Sequence, residues 1–162
     1  MGYQLIETIE VGSGGAASIE FTGIPQDGVD LVCVFSERHS TDGNTRLTFN
    51  GSSSGYQQIR LYGTGTSAST DTYSGVFIYA EDQGASTTAN TFGSAQVYVS
   101  NYTSSVAKSV SVELVTENNA TAADQYLIAG SWSGTAITSL SVAASSGFVQ
   151  YSTASLYKIT AD

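Results

Sequence analysis

The residues able to do chemistry are few, and their spacing limits what they can do. The single histidine, His39, lies beside Ser40 and Asp42, the inventory of a Ser-His-Asp triad. A working triad takes its groups from separate rigid elements and sets the nucleophile beside an oxyanion donor. One short polar loop over Ser36–Asn44 cannot supply that. Glu81 and Asp82 are adjacent and point apart on a strand, whereas glycoside hydrolysis needs two carboxylates facing each other across about 5 to 9 Å. Asp27 and Asp30 flank Gly28, and Asp42 precedes Gly43. Calcium would want several oxygen ligands converging on one loop, and these spacings fit ordinary turn chemistry better, with structural calcium the lesser alternative. Cys33 is the only cysteine, which leaves no intrachain disulfide and no thiolate metal site. The expectation is no catalytic residue, no bound metal and no cofactor: not an enzyme.

The aromatic residues offer more. Trp132 stands between Gly130-Ser131 and Ser133-Gly134, at the end of a strand. A tryptophan there is either core-edge packing, a stacking platform for a sugar, or an anchor in a subunit interface. Tyr62, Tyr73 and Tyr79 raise the same question around the Gly-Thr-Ser stretch 63–72. These four are the candidate binding or interface residues. Loops 36–44, 63–72 and 116–124 are the candidate walls of a groove.

The elements that must position them read as strands. The most apolar stretch, Val29–Ser36, follows the turn former Pro25–Gly28 and predicts a strand buried on both faces at the centre of a sheet, with Gly28 suited to a left-handed turn position. Around it, Tyr3–Val11, Ala17–Ile24, Thr45–Asn50, Tyr56–Tyr62, Tyr73–Ala80, Phe92–Ser100, Val106–Val115, Gln125–Trp132, Ala136–Val142 and Ser155–Thr160 read as shorter strands, and Phe148–Tyr151 as a brief pairing. In Tyr56–Tyr62 the period-two pattern places Ile59 and Leu61 inward and Gln58 and Arg60 outward. Lys108 falls in an apolar register and is expected near a strand start, its stem snorkelling. About ten short strands with regular turn signals and no long helix indicate an all-β, antiparallel, jelly-roll-like β-sandwich forming a single domain over 1–162.

Composition narrows the partners. The 162 residues carry a net charge of -9 with five scattered basic residues, and only 12% are charged. Binding to nucleic acid or to an anionic membrane would need clustered lysine and arginine. The surface must instead be rich in Ser, Thr, Gly, Asn and Gln. The N-terminal residues lack a basic region followed by an apolar one, and no run reaches transmembrane length, so synthesis in the cytoplasm is expected.

Leu47-Thr48-Phe49-Asn50, Asn101-Tyr102 with Lys108, Ala136-Ile137-Thr138-Ser139-Leu140, Phe148 and Ser155-Leu156-Tyr157-Lys158-Ile159 occur in an order that resembles a group of small β-rich virion structural proteins of tailed, often marine, bacteriophages. In that group a central strand ends in an arginine, here Arg38. Lys158 departs from the glycine usual at its position, and 147–155 is a weak form of the usual turn. The resemblance implies a non-enzymatic virion protein, a capsid decoration or head or tail fibre component. It would dock non-covalently to capsid or tail proteins. Because small sandwiches of this kind often bury a shared face, a homo-oligomer of cyclic symmetry, such as a trimer, is expected. The alternative is a receptor- or carbohydrate-binding module at a tail or fibre tip, with a cell-surface glycan as partner.

Overall fold

The computed structural model describes residues 2–75, 78–81, 84, 86–117 and 123–161, with only the backbone course of 78–81. Among the described residues there are twelve strands: β1 (Gly2–Glu10), β2 (Ala16–Thr22), β3 (Asp30–Glu37), β4 (Asn44–Phe49), β5 (Tyr56–Thr64), β6 (Ser67–Gly75), β7 (Ile78–Glu81), β8 (Gly93–Val99), β9 (Lys108–Glu117), β10 (Ala123–Trp132), β11 (Ser139–Phe148) and β12 (Thr153–Thr160). They form two antiparallel sheets in a sandwich-like arrangement. The larger has the order β1-β12-β3-β8-β9-β10-β5-β6, and the smaller β2-β11-β4-β7. The first strand pairs with the last, from Gly2↔Thr160 to Glu10↔Thr153.

The core lies between the sheets. Leu31, Cys33 and Phe35 of β3, Val97 and Val99 of β8, and Val112 and Leu114 of β9 face Phe21, Leu47, Phe49, Leu140 and Val142 of the small sheet, all in one buried cluster. Alternating apolar and polar residues make this possible, because successive side chains on a strand point to opposite faces. β9 is the clearest case, buried and exposed residues alternating without a break from Lys108 to Thr116.

β3 is an interior strand, but only partly buried on both faces. Val32 is covered on the outer face, where its cross-strand neighbours are Tyr98 and Tyr157. Val34, on the same face, is 40% exposed. Gly28 keeps an ordinary φ, and its role is close approach: a Cβ there would lie 3.0 Å from both the Tyr102 hydroxyl and Lys158 Cβ. The stretch 63–72 is a hairpin, with β5 running to Thr64, Gly65 at φ 58°, and β6 starting at Ser67. The expected strand Tyr73–Ala80 is divided: β6 ends at Gly75 in the large sheet and β7 pairs with β4 in the small one.

The largest difference is in β5. Gln58 and Arg60 are buried at 7% and 3% exposure, whereas Ile59 and Leu61 are each 50% exposed. The strand's facing is the reverse of the apolar pattern. Tyr56 fixes it at one end, packing inward against Phe49 and Trp132: its hydroxyl accepts the Phe49 N–H at 2.8 Å and donates to the Phe49 carbonyl at 3.5 Å. Arg60 fixes it at the other through Asp71 on β6. A strand has one register of faces, so the two anchors turn Ile59 and Leu61 outward.

Where the chain crosses between sheets, side chains replace the lost ladder bonds. Tyr102, fully buried, donates its hydroxyl to the Pro25 carbonyl and accepts the Gly28 N–H at 3.2 Å, pinning the turn into β3. Asn50, at φ 53°, accepts the Thr138 and Ser139 N–H groups at 2.8 and 3.1 Å and donates to the Ala136 carbonyl at 2.7 Å. Tyr102→Phe removes the hydroxyl that serves two part-buried backbone groups and is expected to cost about 0.5–1.5 kcal/mol, read as a lower denaturant midpoint with an unchanged m-value.

Candidate functional site

The candidate residues separate into three environments. Trp132 is in the core at 3% exposure, stacked on Tyr56 (centroids 6.1 Å, 20°) and tilted against Phe49 (5.3 Å). Gly134 lies against the indole, where a Cβ would collide with the ring. Of the three roles open to this tryptophan, the structure places it in core packing. Tyr79 belongs to β7, and its side chain lies outside the described residues.

Tyr62 and Tyr73, by contrast, are brought together by a residue the sequence pattern had turned outward. The Arg60 guanidinium donates Nε to Asp71 Oδ1 at 2.8 Å and Nη2 to Oδ2 at 2.6 Å, a two-pronged pair. Its central carbon stands 4.7 Å from the Tyr73 ring centroid and 5.6 Å from that of Tyr62. Tyr62 in turn stacks on Tyr126 at 5.5 Å and 17°. The order Tyr73–Arg60–Tyr62–Tyr126 runs across β6, β5 and β10 on the sheet's inner side. Tyr73 is 45% exposed and held by its neighbours, so it offers a pre-oriented aromatic surface rather than a loose one. Cross-strand spacing between β5 and β6 was the missing signal, because it depends on where the hairpin turns.

The polar stretch 36–44 turns two of its side chains inward, while Ser36, Ser40, Thr41 and Asp42 are exposed. Glu37 and His39 are buried at 2% and 1% exposure. The Thr45 hydroxyl donates to Glu37 Oε1 at 2.9 Å, so it accepts from His39 Nε2 at 3.1 Å. The His39 ring meets Phe148 edge-on at 5.3 Å, and the residue bridges to Phe148 of β11. His39, Ser40 and Asp42 do not assemble: Ser40 donates to the Ser146 carbonyl, and Asp42 accepts the Ser86 N–H at 2.8 Å. Burial and the nearby Glu37 charge push the Cys33 thiol up, away from the thiolate.

The other acids near turns also meet protein donors. Asp27 pairs with Lys158 Nζ at 2.5 Å, and that hydrogen bond lowers its pKa. Asp30 accepts from the Tyr98 hydroxyl at 2.5 Å and the Asn101 N–H at 2.8 Å, and the carboxylate pushes Tyr98 up to about 12. Of the three stretches proposed as groove walls, 36–44 buries only Glu37 and His39, 63–72 is the β5–β6 hairpin, and 118–122 of the third lies outside the described residues.

The hydrogen bonds from Arg60 hold the Asp71 carboxyl below its ordinary pKa. Its contribution to stability is therefore fully present above the unfolded carboxylate value of about 3.9 and is lost as pH falls through the lower folded value. Asp71→Asn is expected to cost on the order of 1–2 kcal/mol at neutral pH and to flatten the stability profile below pH ~4, measured by urea unfolding across pH. The emission of Trp132, the single tryptophan, is expected to be blue-shifted and little quenched by acrylamide in the native state; a red, readily quenched band would contradict its core position.

No protein-family model matches the chain, and neither does any curated protein or solved structure.

Proposed function

We propose that this chain is a non-enzymatic structural protein of a bacteriophage particle, a capsid decoration or a head or tail fibre component, self-associating and docking through non-covalent contacts. The observation that carries this reading is how the molecule uses its cations. Arg38 donates to Thr87 Oγ1 and to the Thr88 and Thr91 carbonyls. Arg60 holds Asp71, Lys158 holds Asp27, and Lys108 is buried with its ammonium on the Ser104 and Val106 carbonyls. Lys108 thus turns into the fold rather than snorkelling outward.

Four of the five basic side chains serve the fold, and a chain of net charge -9 is left with an acidic, hydroxyl-rich exterior. Such an exterior suits packing and display, and it repels polyanions. The outer face of the large sheet adds half-exposed Ile59, Leu61 and Leu127, with Leu61 directly opposite Leu127. Neighbouring exposed apolar residues of this kind suit a docking surface. The winding also fits a jelly roll: β11 and β12 lie beside β2 and β1, and again beside β4 and β3, so two arms of the chain pass together from one sheet to the other.

A second reading, a glycan-binding module at a tail or fibre tip, draws support from Tyr73, whose exposed ring is braced by Arg60. The deciding experiment is immunogold labelling of intact virions. Labelling spread over heads is the expected result for decoration. Labelling confined to the tail tip moves the weight to the glycan reading, which then requires that Tyr73→Ala weaken glycan binding at least tenfold. Unlabelled purified particles would remove the virion assignment.

A further inference from the structure

The edges of the two sheets are not equally protected. An edge strand presents unpaired N–H and C=O groups to any strand that can reach it, and such edges are blunted by charge, proline, bulges or short length. β1 carries Glu7 and Glu10 and a register shift between Leu5 and Glu7. β2 carries Glu20 among seven residues, and β7 is four residues long. β6 has no proline and no register shift, and its one charge, Asp71, faces inward and is engaged by Arg60. Its nine residues, Ser-Ala-Ser-Thr-Asp-Thr-Tyr-Ser-Gly, pair in unbroken register with β5 from Tyr56↔Gly75 to Thr64↔Ser67. Among the described residues the other side of β6 meets no strand.

We propose that β6 pairs antiparallel with β6 of a second copy of this chain about a two-fold axis, joining two large sheets into one. The proposal rests on the reading above that the chain self-associates, and it names the surface. Charge argues for a second copy. Two molecules of net charge -9 repel over most of their surfaces, but β6 has a single ionised side chain, Asp71, already paired with Arg60. The strip is close to neutral and gives a charged partner nothing to recognise. It is also self-complementary. With the axis at Thr70, antiparallel pairing sets Thr70 opposite its own copy and Asp71 opposite Ser69, with Thr72 close by, and threonine pairs across strands are favourable. Both are exposed and both lie on the outer face, clear of the Arg60–Asp71 pair. Pairing also covers an edge that would otherwise template aggregation. A two-fold contact of this kind closes as a dimer, not as the trimer suggested by the sequence.

The test uses the full chain in analytical ultracentrifugation, with two charged variants, Thr70→Lys/Thr72→Lys and Thr70→Glu/Thr72→Glu. The wild type is expected to dimerise as concentration rises. Each variant alone sets like charges opposite one another and is expected to weaken the dimer at least tenfold, and the equimolar mixture to recover a heterodimer by native mass spectrometry. Far-UV circular dichroism and Trp132 emission check that each variant folds. Amide exchange of Ser67–Gly75 in the unaltered chain reads the same contact and should slow as concentration rises. A wild type that stays monomeric at millimolar concentration overturns self-association itself. An oligomer untouched by the charged pairs, a trimer mass, or β6 exchange independent of concentration overturns the β6 contact and leaves self-association standing.

Discussion

Every passage of the chain from one sheet to the other lifts backbone N–H and C=O groups out of a ladder, and this is the constraint on which the rest of the molecule depends. Buried backbone groups that lose a partner must find another. Here the replacements come from side chains of residues far away in sequence. Tyr102 serves the turn at Pro25–Gly28, Asn50 serves 136–139, and Gln26 donates to the Ile24 and Ile137 carbonyls at 2.9 and 2.8 Å. Ser152 accepts the Arg38 N–H at 3.1 Å. The corners of the sandwich are thus fixed by single polar residues, and the sheets between them by alternating apolar faces.

The same economy explains the surface. With five basic residues in the chain, the assignment of Arg38, Arg60, Lys108 and Lys158 to internal partners leaves few cations to balance the carboxylates outside. The burial of Lys108 has a cost, since desolvation lowers its pKa, and its carbonyl partners at the start of β9 offset that cost. The fold and the character of the exterior follow from one distribution of charge.

How much was legible in the sequence depended on whether a strand's facing is decided locally. β8, β9 and β12 follow their alternation, because each presents small or β-branched residues to a single apolar layer; Ala95, Val97 and Val99 are buried as the pattern requires. In β5 two partners on other strands, Trp132 and Asp71, outweigh Ile59 and Leu61, and no local period reports them. The polar stretch 36–44 misled for a related reason. Thr45 links Glu37 and His39 by hydrogen bonds, so two hydrophilic side chains are enclosed beside the core. The loop 63–72 became strand because Gly65 supplies a tight turn, and its Ser/Thr composition is as compatible with an edge strand as with a loop. Of the proposed aromatic site, only Tyr62 and Tyr73 are brought together, through an arginine that composition alone would have left in water.

The pairing of β1 with β12 and of β2 with β11 also governs how the molecule comes to be. Gly2 waits for Thr160, and Phe21 for Leu140, so neither sheet can be completed by local zipping along the chain. Closing such distant contacts carries a loop entropy that grows with separation, and topologies dominated by them fold in roughly milliseconds to seconds rather than microseconds. During synthesis the β8–β9–β10 meander and the β5–β6 hairpin consist of consecutive neighbours and can pair as they emerge. β1 and β2 must remain unpaired until β12 and β11, at Thr153–Thr160 and Ser139–Phe148, have followed. The strands that finish the sandwich are therefore also the ones whose late arrival sets its rate of formation.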